Sequence, residues 1–208
     1  MAFLRAMEER VRVKEVKVLS DDWYILKKTI FDFRRRDGSW QTISRETYDR
    51  GNGATILLFN RSRKTVLLTR QFRFPAFVNG CDNGMLIEAC AGLLEKEEAE
   101  EAIRRETEEE TGYRLGSITK LFEAYMSPGS VTEKLHFFAA EYDASSKTAK
   151  GGGESDHGED IEVLEFGLDE ALQMIEIGGI QDGKTIMLLQ YAKLKRLIED
   201  ENTSGLGW

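Results

Sequence analysis

Three stretches of alternating apolar and polar residues open the chain: VRVKEVKVLS from Val11, WYILKKTIFDF from Trp23, and WQTISRETYD ending at Asp49. Successive side chains of a strand point to opposite faces, so this alternation predicts three half-buried strands. Asp37-Gly38, between the second and third, predicts a type I′ hairpin in which both central residues take positive φ. Three strands alone hold too little apolar surface for a core, so the segment must pack on something else. After Arg50-Gly51-Asn52-Gly53 the pattern changes. ATILLF and TVLLTRQF are continuous apolar runs split by Arg61-Ser62-Arg63-Lys64, which suits strands covered on both faces. MLIEACAG, ITKLFEAYM, KLHFFAAEY and IEVLEF predict further strands. Helical spacing follows in LDEALQMIEIGG, stopped by Gly178-Gly179, and in KTIMLLQYAKLKRLIED. ASSKTAKGGGESDHG, between Asp143 and Gly158, predicts an open, mobile loop, and the tail beyond Glu199 a frayed end.

Composition narrows the picture. A chain of 208 residues that is 41% hydrophobic can build one well-cored domain with a modest appendage. Its formal net charge of -8 argues against a nucleic acid or an anionic membrane as principal partner, because an acidic surface repels phosphate polymers. A small phosphate substrate then requires local cations or a metal. Cys81 and Cys90 are too few for a disulfide framework and lack zinc-site spacing, so both are read as reduced and structural. The N-terminal MAFLRAMEERVRVKEV has no signal-peptide apolar run, and no window approaches the roughly 20 apolar residues of a membrane span. The expected address is cytoplasmic.

The densest chemistry lies in GLLEKEEAEEAIRRETEEETGY, from Gly92 to Tyr113. Read as a helix from about Glu97 to Thr111, it sets Glu106, Glu109 and Glu110 on one face. Like charges at those spacings destabilise an isolated helix, so either the face is solvated or a multivalent cation neutralises it. Oxygen-rich donors of this kind suit Mg²⁺ or Mn²⁺. Most Glu-rich helices are merely solvated. The arrangement favours the metal: Gly92 permits a tight loop after a strand, Gly112 stops the helix in a left-handed cap, and Arg105 offers a carboxylate an internal partner.

Arg105-Glu106, Glu109-Glu110 and Gly112-Tyr113 stand in the phase of the Nudix box, and the segment resembles it. Two departures exist. The stretch from Gly92 to Arg105 is one residue shorter than usual, with Glu97 in the upstream glutamate's place, and Thr107 stands where an aliphatic residue is normal. The resemblance implies an α/β (α+β) fold, an α/β/α sandwich whose mixed sheet carries the box as a loop-helix-loop, plus a small N-terminal antiparallel sheet. It implies Glu106 and Glu110 as direct metal ligands, Glu109 as a ligand through water, and the Ala91 carbonyl as another. The cofactor is then Mg²⁺, with Mn²⁺ as an alternative. A metal is needed because attack of water on phosphorus brings two electron-rich partners together, and a cation neutralises the phosphate oxygens.

YDRGNGATILLFN, RQFRFPAFVNG, LFEAYMSPGSVTEKLHFF and GGGESDHGEDIEVLEF extend the resemblance to the GDP-mannose pyrophosphatase branch, close to the ADP-ribose pyrophosphatases. It implies a homodimer that exchanges N-terminal strands, with residues 1–49 as the dimerisation and substrate-binding region, 50–200 as the Nudix domain and 201–208 as a flexible tail. Trp23 would stack on the base, and Arg45 and Glu46 would lie near it, Glu46 accepting from a guanine edge. Arg73 would hold the diphosphate, and Glu133 and Lys184 would approach sugar or phosphate. Glu159 would be a further metal ligand or the base for the attacking water, a role it shares with Glu109. Each has a plainer reading: Trp23 as a strand aromatic, Arg45-Glu46 as a surface ion pair, Glu133 as solvated, Lys184 as a capping residue, Glu159 as part of an acidic loop. His136 and His157 are read as structural. ADP-ribose or another nucleoside diphosphate sugar is the competing substrate. A different class, an inactive Nudix domain that binds nucleotides or partners, would usually have lost metal carboxylates that this chain retains.

Overall fold

A computed structural model describes residues 10–94, 96–153 and 160–199. The expectations for His157, Glu159 and the tail at 201–208 lie outside the described residues. The chain divides into two compact units, one running to Asn52 and taking in Tyr125–Lys134, the other holding Gly53–Ala124 and the chain from Leu135 onward.

In the first unit the alternating stretches form β1 (Val11–Asp21), β2 (Ile25–Arg34) and β3 (Trp40–Asp49), an antiparallel sheet in that order. The hairpin between β2 and β3 differs from the type I′ expectation. Gly38 alone takes positive φ, at 87°, and the loop is longer, closed by Arg35 N–H donating to the Ser39 carbonyl at 2.8 Å. Asp37 stays out of the left-handed region because its carboxylate accepts from the Ser39 N–H and hydroxyl at 2.9 and 2.6 Å, a local turn that needs only one glycine. The segment Tyr125–Lys134 joins this unit by pairing with β3: Tyr48 N–H donates to Ser130 and Thr132 N–H donates to Tyr48. A division at residue 49 therefore misses ten residues that lie far along the chain, Tyr125–Lys134.

The second unit contains β4 (Gly53–Asn60), β5 (Thr65–Phe72), α1 (Phe74–Val78), β6 (Met85–Glu88), β7 (Ala91–Leu93), α2 (Ala99–Thr111), β8 (Ile118–Tyr125), β9 (Lys134–Glu141), β10 (Glu162–Gly167), α3 (Leu168–Glu176) and α4 (Gly183–Leu194). Its mixed sheet runs β10-β5-β4-β9-β8, with β6 on β5 and β7 on β4; β4 and β9 are parallel, and β5 is antiparallel to its neighbours. Every residue of β4 is buried, as a continuous apolar run covered on both faces requires. Ala54, Ile56 and Leu58 pack with Ile103 of α2, while Thr55 and Leu57 on the opposite face are equally buried. The run MLIEACAG is two strands, because the chain leaves β5 after Glu88 and crosses to β4, where the Cys90 carbonyl accepts from Ile56 N–H and the Thr55 hydroxyl, both at 3.0 Å.

The glycine loop differs most from expectation. Its described part is docked against the end of α2. Thr148 and Ala149 N–H donate to the Gly112 carbonyl, Gly152 N–H to Glu110 and Gly153 N–H to Glu109. Carbonyls at a helix C-terminus lack intrahelical donors, and this segment supplies them. Approach is close: a Cβ on Gly112 would lie 2.2 Å from the Ala149 carbonyl oxygen, and one on Gly151 would lie 2.5 Å from the Thr111 carbonyl carbon. Gly112→Ala, at φ 76°, is therefore expected to cost about 1–2 kcal/mol from the left-handed backbone alone, and more from the overlap. Its thermal midpoint should fall by more than about 4 °C in a melting experiment; wild-type melting would contradict the docking. Among the described residues no helix is long and apolar enough to cross a membrane.

Candidate active site

Helix α2 begins at Glu98, whose extended backbone caps it, and Glu100 and Glu101 in its first turn suit the positive end of the helix dipole. Gly112, in the left-handed cap, ends it. One stripe faces the core: Ala102, Ile103, Thr107, Glu110 and Thr111. Thr107 stands in its aliphatic position without an unsatisfied hydroxyl, donating to the Ile103 carbonyl at 2.6 Å and accepting from the Cys90 thiol at 3.6 Å. Burial, and then the adjacent Glu110 carboxylate, push that thiol well above its ordinary pKa, so Cys90 stays a neutral packing residue.

On the flank of this stripe the Arg105 guanidinium gathers three carboxylates, Glu97 at 2.8 Å, Glu106 at 3.1 Å and Glu109 at 2.8 Å. The hydrogen bonds from Arg105 to Glu97, and then the charges of Glu106 and Glu109, raise the guanidinium's pKa further. Glu97, eight residues before Arg105 in sequence, is brought against its guanidinium. Gly92 is not among the positive-φ residues, so a tight turn is not what demands it. A Cβ there would lie 2.1 Å from the Glu106 carboxyl carbon and 2.4 Å from its Oε1, so glycine leaves the space that this carboxylate fills.

Among the described residues no three His, Cys, Asp or Glu side chains are gathered as a metal cage. The carboxylates of Glu97, Glu106 and Glu109 close on Arg105 instead, which relieves their mutual repulsion. The donor set still fits a hard divalent cation. Glu106 and Glu110 are one helical turn apart with Glu109 beside them, and Glu106 lies in the space that Gly92 leaves.

Arg73 and Lys184, distant in sequence, meet on one buried acid. Arg73 donates through Nε and Nη2 to Glu88 Oε2 at 2.9 and 2.8 Å, and Lys184 donates to Glu88 Oε1 at 3.2 Å. Lys184 also pairs with Asp182 at 3.0 Å, and Asp182 caps α4 by accepting from Thr185. The Thr185 hydroxyl in turn accepts from Ala89 N–H at 2.6 Å, tying α4 to the crossing between β6 and β7. Burial opposes the charge on Arg73, but Glu88 first, then Glu110 and Asp182, hold its pKa above the ordinary value. Sequence reading missed Glu88 and Asp182. The signal was a lone acid inside the apolar run MLIEACAG, since glutamate is rarely buried without a partner.

In the first unit Arg45 and Glu46 line a cavity of about 520 Å³ together with Tyr125 and the Pro128–Thr132 turn. The Arg45 guanidinium donates to the Ser44 carbonyl. Trp23 lies in the turn between β1 and β2, 80% exposed and edge-on to Tyr24, so it is not a strand aromatic. Glu133 holds Arg50 at 3.5 Å, and that guanidinium lies over the Tyr24 ring. In the second unit, His136 of β9 pairs with Glu123 of β8 at 3.2 Å.

A box helix laid on a mixed sheet, with an arginine-bound carboxylate cluster at its face, defines a Nudix-type hydrolase. Residues 49–188 match the NUDIX domain and residues 10–48 match the GDP-mannose pyrophosphatase NudK N-terminal domain. The chain belongs to the Nudix family, whose members generally use divalent metals. A GDP-mannose pyrophosphatase of Pectobacterium atrosepticum is 58% identical over 189 residues, covering 91% of this chain and 97% of that protein. One of Citrobacter koseri is 53% identical over 192 residues, covering 92% and 100%. One of Escherichia coli O157:H7 is 51% identical over 193 residues, covering 93% and 100%. In fold the chain is similar to the crystal structure of an ADP compounds hydrolase, with a TM-score of 0.66 at 16% identity, covering 90% of this chain and 96% of that one.

Proposed function

We propose that this protein is a Mg²⁺-dependent pyrophosphatase that hydrolyses GDP-mannose to GMP and mannose 1-phosphate by attack of water on phosphorus. The observation that carries this reading is the presence, within one unit, of the box carboxylates, which are donors for a divalent cation, and of Arg73 and Lys184 gathered on Glu88, which are donors for phosphate oxygens. Relatives named GDP-mannose pyrophosphatase, 51–58% identical over nearly their whole length, support the substrate.

Glu106, Glu110, Glu109, the Ala91 carbonyl and Glu159 would hold the magnesium. When bound, the ion supplies neutralisation of the phosphate oxygens. Arg105 orients Glu106 and Glu109 from outside the reacting groups. Arg73 and Lys184 bind the diphosphate, and a planar guanidinium can engage two oxygens at once. Glu159 takes the proton of the attacking water, with Glu109 as the alternative base. Trp23, Arg45 and Glu46 select the nucleobase, and Glu133 approaches the sugar. The enzyme works in the cytoplasm as a homodimer with exchanged N-terminal strands, which gives the sheet of β1 to β3 the packing partner that the exposed valines of β1 call for.

Ranking nucleoside diphosphate sugars and dinucleotides by kcat/KM tests the substrate. GDP-mannose is expected to lead ADP-ribose by at least about tenfold, or roughly 1.4 kcal/mol of transition-state binding. ADP-ribose in first place would overturn the GDP-mannose reading while leaving the chemistry intact.

A further inference from the structure

Glu88 lies buried in β6 between Arg73 and Lys184. Its side chain is 4% exposed, and both its oxygens are committed to cations. A carboxylate so placed is held only because it is paired. We propose that Glu88 is a positioning residue: it fixes the guanidinium of Arg73 and the ammonium of Lys184 at a set separation, so that together they receive the two phosphates of the substrate. This rests on the nucleoside diphosphate sugar reading above.

The geometry carries the idea in three ways. The two Arg73–Glu88 bonds use Nε and Nη2, which leaves Nη1 for an incoming oxygen, and the Arg73 side chain is 41% exposed while its anchor is buried. Lys184, 12% exposed, is held between Glu88 and Asp182, so its position is set by two acids rather than by its own flexible stem. Both acids are fixed to backbone elements, Glu88 on β6 and Asp182 at the cap of α4 through Thr185. Arginine and lysine each have several rotatable bonds, and pinning both before substrate arrives removes an ordering cost from binding.

A rival view makes Glu88 only a counter-charge. The two views give opposite signs. If Glu88 merely neutralised, Glu88→Gln would raise the local positive charge and tighten diphosphate binding. If it positions, the amide can serve as acceptor for one cation at most and binding weakens. The test measures kcat and KM for wild type, Glu88→Gln, Lys184→Met and the double variant, on whichever nucleoside diphosphate sugar the wild type cleaves best. Calorimetry with methylenediphosphonate in Mg²⁺ runs alongside, below the melting temperature of each protein. Glu88→Gln is expected to raise KM and weaken methylenediphosphonate at least fivefold, with kcat lowered less than KM is raised. In the Lys184→Met background its effect should shrink by half or more, because half of what it positions is gone; a general loss of structure would instead add in full. A KM and a diphosphonate affinity within twofold of wild type, tighter binding, or full additivity would overturn the proposal. A wild type that prefers ADP-ribose would overturn the substrate reading alone, since the diphosphate is common to both sugars.

Discussion

Glu106→Gln is expected to lower kcat/KM at least about 100-fold, roughly 3 kcal/mol of transition-state stabilisation, while the folded protein melts within a few degrees of wild type. The carboxylate is the one that Gly92 makes room for and that Arg105 holds at 3.1 Å, and its amide has the same shape without the charge a divalent cation needs. Stability changes little because two effects oppose. The variant loses one partner of Arg105 but relieves like-charge repulsion with Glu109 and Glu110, and the site is partly solvated. Steady-state kinetics with a parallel thermal melt checks both halves; activity within a few-fold of wild type would remove Glu106 from the metal set.

Gly92→Ala should be almost as damaging, for a reason visible only in three dimensions. An added Cβ would lie 2.1 Å from the Glu106 carboxyl carbon, so the carboxylate must leave its cradle or β7 must shift. A loss of about 100-fold is expected, with KM changed less than kcat, because the overlap falls on the metal carboxylate rather than on the phosphate cations. The double variant Gly92→Ala/Glu106→Gln gives the sharper reading. If the glycine acts through Glu106, the double variant is no worse than about threefold below the poorer single variant. Multiplying losses, near 10,000-fold, would mean that Gly92 does something else.

Much of this was legible in the chain because periodicity is local. The alternation of Val11 to Asp49 and the continuous runs of β4 and β5 describe how each segment meets a sheet: the runs became strands of the second unit, β4 buried throughout as expected, while the alternating stretches became the three strands of the first unit, of which β1 is exposed along its whole length rather than half-buried because nothing in the single chain covers it. The box was readable for a similar reason: Arg105, Glu106, Glu109, Glu110 and Gly112 keep fixed offsets along one helix, and offsets survive without knowledge of the fold. What failed required contacts between distant segments. MLIEACAG looks like one strand until β5 and β4 compete for it. The glycine loop looked open because composition cannot show that the helix end needs donors for Glu109 and Glu110. Tyr125–Lys134 carried no sign that it pairs beside β3. Glu88 was hidden in an apolar run, and its meaning lies in Lys184, almost a hundred residues away by sequence, and in Arg73, on the strand exit opposite. Gly92 was singled out for a turn it does not make; it lies in β7, where its missing side chain leaves room for Glu106.

On the function proposed, the α2 carboxylates and the Arg73–Lys184 pair act as one hydrolytic site for a nucleoside diphosphate sugar, dependent on a divalent cation. The most direct measurement incubates the purified protein with GDP-mannose in Mg²⁺ and, separately, in excess chelator, and follows GMP and mannose 1-phosphate by chromatography. GMP and mannose 1-phosphate should appear in equal amounts with Mg²⁺ and disappear with chelator. Turnover that persists without metal, or products other than a nucleoside monophosphate and a sugar phosphate, would contradict it.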